Sequence, residues 1–414
     1  MLIFKRFFHS GLLKPFLFFT IAMSVALSFS GCGLFKPRII DGSALEQISP
    51  KDYPDFADDM GYDGLEYGIV QSITYLNRIP KDRIFRFGDD EYDCGHMIES
   101  LERFQMFIKS NPSGNDLKAF IVSNYRVYKS VGDDETGDML FTGYYEPVLA
   151  GSLKRSAEFQ YPVFSLPEDL AFIDLSLFDI TLKTEKPLVG RFTNDHKVVP
   201  YYERGEIAQN NLNGKALPLA WVKDRVDLFF LEIQGSGEIH MDNGVPLHVH
   251  YHATNGHPYK SIGALLIKEE KISREEMSMQ KIREYLKEHP DEVDDILNYN
   301  PSFVFFRIEN DGPYGCLGVK VTPGRSVALQ KRIFPAADLG FMESEKPLVD
   351  GNREIQEWTA FSRFILNQDT GGAINGPGRA DLFWGNGPYA EIAAGYMKNP
   401  GKLYFLILKP DEKG

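Results

Sequence analysis

The residues best suited to chemistry lie in a glycine-dense stretch from Asn367 to Gly387, NQDTGGAINGPGRADLFWGNG, which carries Asp369 and Asp381. Glycines at 371, 372, 376, 378, 385 and 387 make this stretch a poor helix and let backbone come close to a ligand. The short apolar runs between them, Ala373-Ile374 and Leu382-Phe383-Trp384, have the length and type of strands. Both aspartates are therefore expected at strand ends beside turns, the second of them next to Trp384. Burial raises the pKa of a carboxyl, and a carboxyl that keeps its proton near neutrality can serve as a general acid. The plainer alternative is that each Asp caps a turn through its own backbone, as Asp beside Gly often does.

The rest of the chain must supply the scaffold for this stretch. A length of 414 residues suggests two or three domains with ample core. Aromatic content of 13%, with 20 Tyr and 31 Phe, predicts a fold rich in strands and grooves. The formal net charge of -13 argues against nucleic acid, whose phosphates would be repelled, and favours a neutral or amphiphilic ligand.

At the start, Lys5, Arg6 and Lys14 precede an apolar run from Pro15 to Phe29, followed by Ser30, Gly31 and Cys32. Residues 1–31 read as a signal peptide. The run is shorter than the ~20 apolar residues that span a bilayer. Ser-Gly-Cys resembles a bacterial lipoprotein processing site, which implies lipid on Cys32. Gly33 after it, rather than Asp, favours the outer membrane with the protein facing the periplasm. Residues 32–54 read as a polar tether. The other cysteines, Cys94 and Cys316, are expected as free, buried thiols.

Helical spacing marks Leu65 to Leu76, Met97 to Ile108 and Leu117 to Tyr128. Residues 139–147 form a short aromatic strand, and 148–257 are mostly strand-like, with Asp242-Asn-Gly244 as a hairpin turn. Val226 to Ile233 is apolar enough for a strand buried on both faces, running into a Gln234–Gly237 turn. Ser273 with Glu276 suggests a capping box opening a helix to about Glu288, and Asp291 to Leu297 suggests a further short helix. Strands are expected at Phe303–Ile308, Leu317–Val321, Arg325–Ala328 and Leu403–Leu408. His248, His250 and His252 alternate, and in a strand would share one face, a known zinc arrangement. No carboxylate evidently placed to orient the imidazoles accompanies them, so a half-exposed strand near a groove is the better reading. No metal or cofactor is expected.

Several stretches together resemble the membrane-bound lytic murein transglycosylase A family. They are Phe141-Thr-Gly-Tyr-Tyr-Glu-Pro147, Leu231-Glu-Ile-Gln-Gly-Ser-Gly237, Thr254-Asn-Gly-His-Pro-Tyr259 with Ser261-Ile-Gly263, Asn300-Pro-Ser-Phe-Val-Phe-Phe306, and Asp369-Thr-Gly-Gly-Ala-Ile374 through Asp381-Leu-Phe-Trp-Gly385. The resemblance covers roughly residues 139–408 and implies a mainly β fold with peripheral helices (α+β). In it a double-psi β-barrel domain, 55–147 and 259–414, holds an inserted β-barrel-like domain, 148–258, with a groove between them. It implies cleavage of the β-1,4 bond between N-acetylmuramic acid and N-acetylglucosamine without water, leaving a 1,6-anhydro end. Asp381 matches the family's acid/base, and Asp369 would be a supporting carboxylate. Thr142, Tyr144, Gln234, Ser236, Asn255 and Trp384 are candidates for glycan binding, with peptidoglycan strands and cell-wall synthases as candidate partners. One departure stands out: Ser326-Val-Ala-Leu-Gln330 has Gln330 where the family pattern has the first of three aspartates, and Asp338 nearby is a candidate to compensate.

Two alternatives remain at this level. Asp369-Thr370-Gly371 reads D-T-G, as in an aspartic protease, although that chemistry needs two such aspartates and the chain has no second D-T-G or D-S-G. A non-catalytic lipoprotein scaffold that binds cell-wall glycan is the other.

Overall fold

The computed structural model describes residues 44–132, 137–182, 187–212, 214–372 and 374–410. The signal peptide, Cys32 and most of the tether lie outside the described residues. In chain order the strands are β1 (Leu45–Gln47), β2 (Ile84–Phe87), β3 (Asp90–Asp93), β4 (Tyr125–Ser130), β5 (Met139–Glu146), β6 (Val148–Ser152), β7 (Tyr161–Phe164), β8 (Leu170–Ile173), β9 (Leu188–Phe192), β10 (Val198–Pro200), β11 (Pro218–Val222), β12 (Ser236–Met241), β13 (Pro246–Thr254), β14 (Val304–Glu309), β15 (Ser326–Ala328), β16 (Leu339–Val349), β17 (Ile355–Asp369), β18 (Arg379–Asn386) and β19 (Lys398–Leu408).

β19, β16, β17, β15, β18 and β5 close into a ring, because β5 pairs with β18 on one side and with β19 on the other. β15 runs parallel to β17 and β5 parallel to β18, while the other pairs in the ring are antiparallel. Closure removes the open edges that a flat sheet would leave. β4 and β1 extend the far half of β19. A second sheet, in the order β14-β13-β12-β6-β11-β7, curls until Ser165 and Phe306 bridge its two edges. A small sheet, β10-β9-β8, accompanies it. The architecture is α+β, a β-barrel and a second β-domain with peripheral helices, as the sequence led us to expect.

Period-two burial builds the barrel. Along β18, Ala380, Leu382 and Trp384 point into the apolar core, and Arg379, Asp381 and Phe383 lie on the other face. Gly143 in β5 lets the core close here: a Cβ added to it would sit 2.7 Å from the Trp384 ring and 2.8 Å from the Ala394 backbone. Gly143→Ala is expected to destabilise the fold by about 1–3 kcal/mol, read by thermal melting, because neither neighbour is a flexible chain end.

Arg325, just before β15, is fully buried. It donates to both carboxylate oxygens of Asp58, at 2.6 and 2.9 Å, and to the carbonyls of Asp63 and Phe364. Gln368 accepts from the Ser326 hydroxyl and donates to the Gly68 carbonyl and the Ser72 hydroxyl, joining the helix Leu65–Leu76 to the strand that ends in Asp369. These contacts fix the helix Leu65–Leu76 and the segment before it to the barrel, next to the strand end that carries Asp369.

Several local expectations are corrected. Residues 225–234 form an α-helix, not a strand. Asp224 caps its N-terminus, accepting from the Val226 and Asp227 amides, and Gly235 ends it in the left-handed conformation. Tyr125 to Tyr128 belong to β4, the preceding helix ending at Asn124. Residues 317–321 are turn and loop apart from a single bridge between Lys320 and Tyr314. Ser273 and Glu276 do bond each other, but within an isolated turn; the helix starts at Met279 behind Ser278. Both cysteines are free, Cys94 buried but Cys316 exposed, which corrects the expectation of two buried thiols.

Candidate active site

Ala328 of β15 lies between the two aspartates. On one side it pairs with Asp369 at the end of β17, and on the other with Asp381 of β18. The two carboxyl-bearing positions therefore lie two strand spacings apart, with the small residue Ala328 between them. On its far side Asp381 pairs with Thr142 of β5.

The Asp381 side chain is 19% exposed. Its Oδ1 is buried and forms an ion pair with Arg379 Nε at 3.6 Å, and among the described residues it accepts no hydrogen bond. Burial pushes its pKa up to about 6; the Arg379 charge pulls against this and the neighbouring Asp369 charge adds to it. Asp369 is also raised to about 6 by burial, but it is well bonded. It accepts from the amides of Cys316 and Thr370, each at 2.8 Å, and from the Tyr144 hydroxyl at 3.0 Å. Asp369 thus ties together β5, the 316 loop and its own turn, whereas Asp381 Oδ1 faces the Arg379 guanidinium across 3.6 Å and, among the described residues, accepts no hydrogen bond. Tyr144 is raised well above its ordinary value by burial and by Asp369, and remains a hydroxyl donor.

The other predicted residues separate into two groups. Thr142 stands beside Asp381 and accepts from Arg379 Nη2 at 3.4 Å, and Tyr144 packs on Phe383 with ring centroids 5.0 Å apart. Gln234 accepts from the Tyr145 amide at 3.1 Å, and Ser236, half-buried, opens β12 opposite His250. Two expectations are corrected. Asn255 is 1% exposed, donates to the carbonyls of Tyr202 and Pro301 and accepts from the Phe303 amide, so it is a buried knot in the loop rather than a ligand contact. Trp384 is 9% exposed and points to the core, on the face opposite Asp381, against Phe361 and Tyr389. The ring on the carboxyl's face is Phe383.

Gln330 accepts from the Gly376 amide and so holds the glycine-rich loop. Asp338 is buried, among the described residues its Oδ2 accepts no hydrogen bond, and burial pushes its pKa well up. The histidine strand is β13, where a register shift between Tyr251 and Ala253 falls at His252 and breaks the alternation. His250 is pushed down to about 4 by burial and by the Arg307 charge. Among the described residues no cluster of three or more His, Cys, Asp or Glu is arranged to hold a metal ion.

Sequence reading missed Arg379, Glu146 and Phe383. Strand alternation about Asp381 would have found Arg379 and Phe383, and alternation from Tyr144 would have found Glu146. A cavity of about 290 Å³ continues along this face, lined by Glu146, Phe383 and Asn386 among others. A larger, open hollow of about 580 Å³ beside Phe107 and Asn124 holds none of the predicted site residues.

Two family models match the chain: the MltA specific insert domain over residues 140–307 and the 3D domain over 325–407. Membrane-bound lytic murein transglycosylase A of Escherichia coli K12 is 32% identical over 319 residues, which is 76% of this chain and 78% of that protein. The chain belongs to the membrane-bound lytic murein transglycosylase A family. The Vibrio cholerae member is 31% identical, covering 67% of this chain and 68% of its own. Among solved structures, a membrane-bound lytic murein transglycosylase from Agrobacterium tumefaciens matches with a TM-score of 0.70 and 26% identity, covering 88% of this chain and 98% of that one. E. coli MltA with bound chitohexaose matches with a TM-score of 0.67 and 25% identity, covering 90% and 97%. Family membership agrees with the second β-domain and with a barrel that brings Asp369 and Asp381 to either side of β15. Among the described residues no helix is long and apolar enough to cross a membrane.

Proposed function

We propose that this protein is a peptidoglycan lytic transglycosylase in which Asp381 serves first as acid and then as base. The observation that carries the assignment of roles is the contrast between the two aspartates: Asp369 accepts from three donors, while among the described residues Asp381 has a buried oxygen that accepts no hydrogen bond. In the reaction, protonated Asp381 gives its proton to the glycosidic O4. The C1–O4 bond breaks and leaves positive charge at C1 of the muramic acid. The Asp381 carboxylate then takes the proton of the C6 hydroxyl, and O6 bonds to C1, closing the 1,6-anhydro ring. Hydrolases place two carboxyl groups about the scissile bond, one of them activating water or attacking C1. An internal hydroxyl makes that second role unnecessary, because its effective concentration is very high. Asp369 acts as a positioning residue through Tyr144 and the 316 loop. Thr142, Tyr144, Gln234 and Ser236 are the proposed glycan contacts, all neutral, as suits an uncharged sugar chain.

We assign 1–31 to the signal peptide and place lipid on Cys32, with the protein on the outer membrane facing the periplasm and cell-wall synthases as its candidate partners. The barrel domain spans 55–147 and 259–414, and the inserted domain spans 148–258 and receives β14 from downstream. Neither the single D-T-G turn of a protease nor a scaffold without chemistry explains a raised, underbonded Asp381 in this family.

Digestion of purified murein, followed by weighing the fragments, tests the reaction. Muropeptides lighter by one water than hydrolytic products are expected, and ordinary reducing ends would overturn it. The pH profile tests the roles. Asp381 must be protonated to act as the acid, so kcat/KM is expected to fall on the alkaline side with a midpoint near pH 6, where burial places this carboxyl. Asp369→Asn removes a negative neighbour, makes Asp381 easier to ionise, and is expected to move that limb to lower pH. The sign for stability runs the same way. Both folded-state values lie above the usual carboxyl range, so these groups favour the fold most in acid, below about pH 4, and that contribution is lost as pH rises through about 6.

A further inference from the structure

We propose that the cavity beyond Tyr144 is a sugar subsite in which Glu146 accepts hydrogen bonds from one neutral N-acetylhexosamine of the glycan, an inference that rests on the glycan-cleaving function proposed above. Thr142, Tyr144 and Glu146 alternate along β5 and so share a face. The first two already sit against Arg379 and Asp369, beside Asp381. Glu146 is the next position outward along the same strand, and it lines the cavity of about 290 Å³ together with Phe383, Asn386, Tyr67 and Lys320. That volume sits at the small end of ligand sites and suits a single ring.

Glu146 is 5% exposed, yet among the described residues its only hydrogen bond is a 3.4 Å contact from Asn386 Nδ2. Oε2 meets Asn386, and Oε1, which is not sealed from solvent, keeps its lone pairs free for a donor in the cavity. Burial also holds its pKa above the ordinary range, against the pull of His248. An ionised carboxylate only accepts, so its partner must donate, as sugar hydroxyls and an acetamido N–H do. The ring of Phe383 offers an apolar face for the flat side of a sugar. Lys320 is taken by Asp311 at 2.5 Å, which leaves Glu146 as the uncompensated charge and disfavours the carboxylates of a stem peptide.

Calorimetric titration of the full-length protein in detergent with chitohexaose tests this. Glu146→Leu is expected to raise Kd roughly 10-fold or more, the size of a lost bond to a charged group. Glu146→Gln, which keeps one acceptor oxygen, is expected to raise it less. Tm should stay level or rise in Glu146→Leu, since an underbonded buried carboxyl is gone. On murein, KM should rise with kcat within about twofold, the pattern of lost uniform binding. A Kd for Glu146→Leu within twofold of the wild type would overturn the subsite, as would a loss of binding that tracks a fall in Tm, or no binding of chitohexaose by the wild type. If murein fragments carry added water while Glu146 still controls Kd, the subsite stands and the anhydro-forming reaction falls.

Discussion

Asp381→Asn is expected to lower the rate of anhydro-product formation by about 10³-fold, within the range that a positioned acid and base contributes. An amide neither donates a proton to O4 nor takes one from O6, so both halves of the exchange are lost together. The substitution is nearly isosteric, and among the described residues Asp381 Oδ1 accepts no hydrogen bond that the change would break, so folding should be spared. Binding of chitohexaose should persist, because the proposed glycan contacts lie on β5, β12 and the end of the helix Arg225–Gln234. Rates from fragment analysis, with Tm and Kd measured alongside, check all three statements. A pure scaffold would show no product to lose, and its murein binding would be unaltered.

Arg325→Ala is expected to cost about 3–5 kcal/mol, a fall in Tm on the order of 10 °C. The reason is what it leaves behind. The Arg325 and Asp58 side chains are 0% and 1% exposed, and removing the guanidinium strands a carboxylate that water cannot reach. The carbonyls of Asp63 and Phe364 lose their donor at the same time. Replacing both partners with apolar residues, Arg325→Met with Asp58→Leu, should recover much of the loss, since the penalty belongs to the unpaired charge. A double variant as unstable as the single one would show that the bonds to the carbonyls dominate. Thermal melting of the three proteins decides it.

What could be read from the chain depended on how local its cause was. Turn chemistry and strand alternation around Asp369 and Asp381 are local, and the two aspartates do lie on strands that share β15. The ring closure is not local: β5 meets both β18 and β19 through pairings between segments far apart in the chain, and no periodicity announces such a pairing. Val226 to Ile233 misled because a short apolar run fits a buried strand or a helix equally, and the deciding signals were Asp224 and Gly235 at its ends. Trp384 misled through adjacency. Three positions from Asp381 along a strand is the opposite face, so the indole went to the core and Phe383 took the place beside Tyr144. Asn255 lay in a family-like stretch whose polar groups turned out to be spent on backbone within the loop. The pairing of Arg325 with Asp58 joins distant segments, and nothing in either stretch marks the other.

A carbon-13 NMR titration of the aspartate carboxyls, with the Asp381 signal identified by its absence in Asp381→Asn, measures the quantity on which the acid role depends. A midpoint near 6 is predicted, against the ordinary value near 3.8. A midpoint at or below 4 would mean that the group is ionised at working pH, with no proton to give, and would contradict the single-carboxyl account.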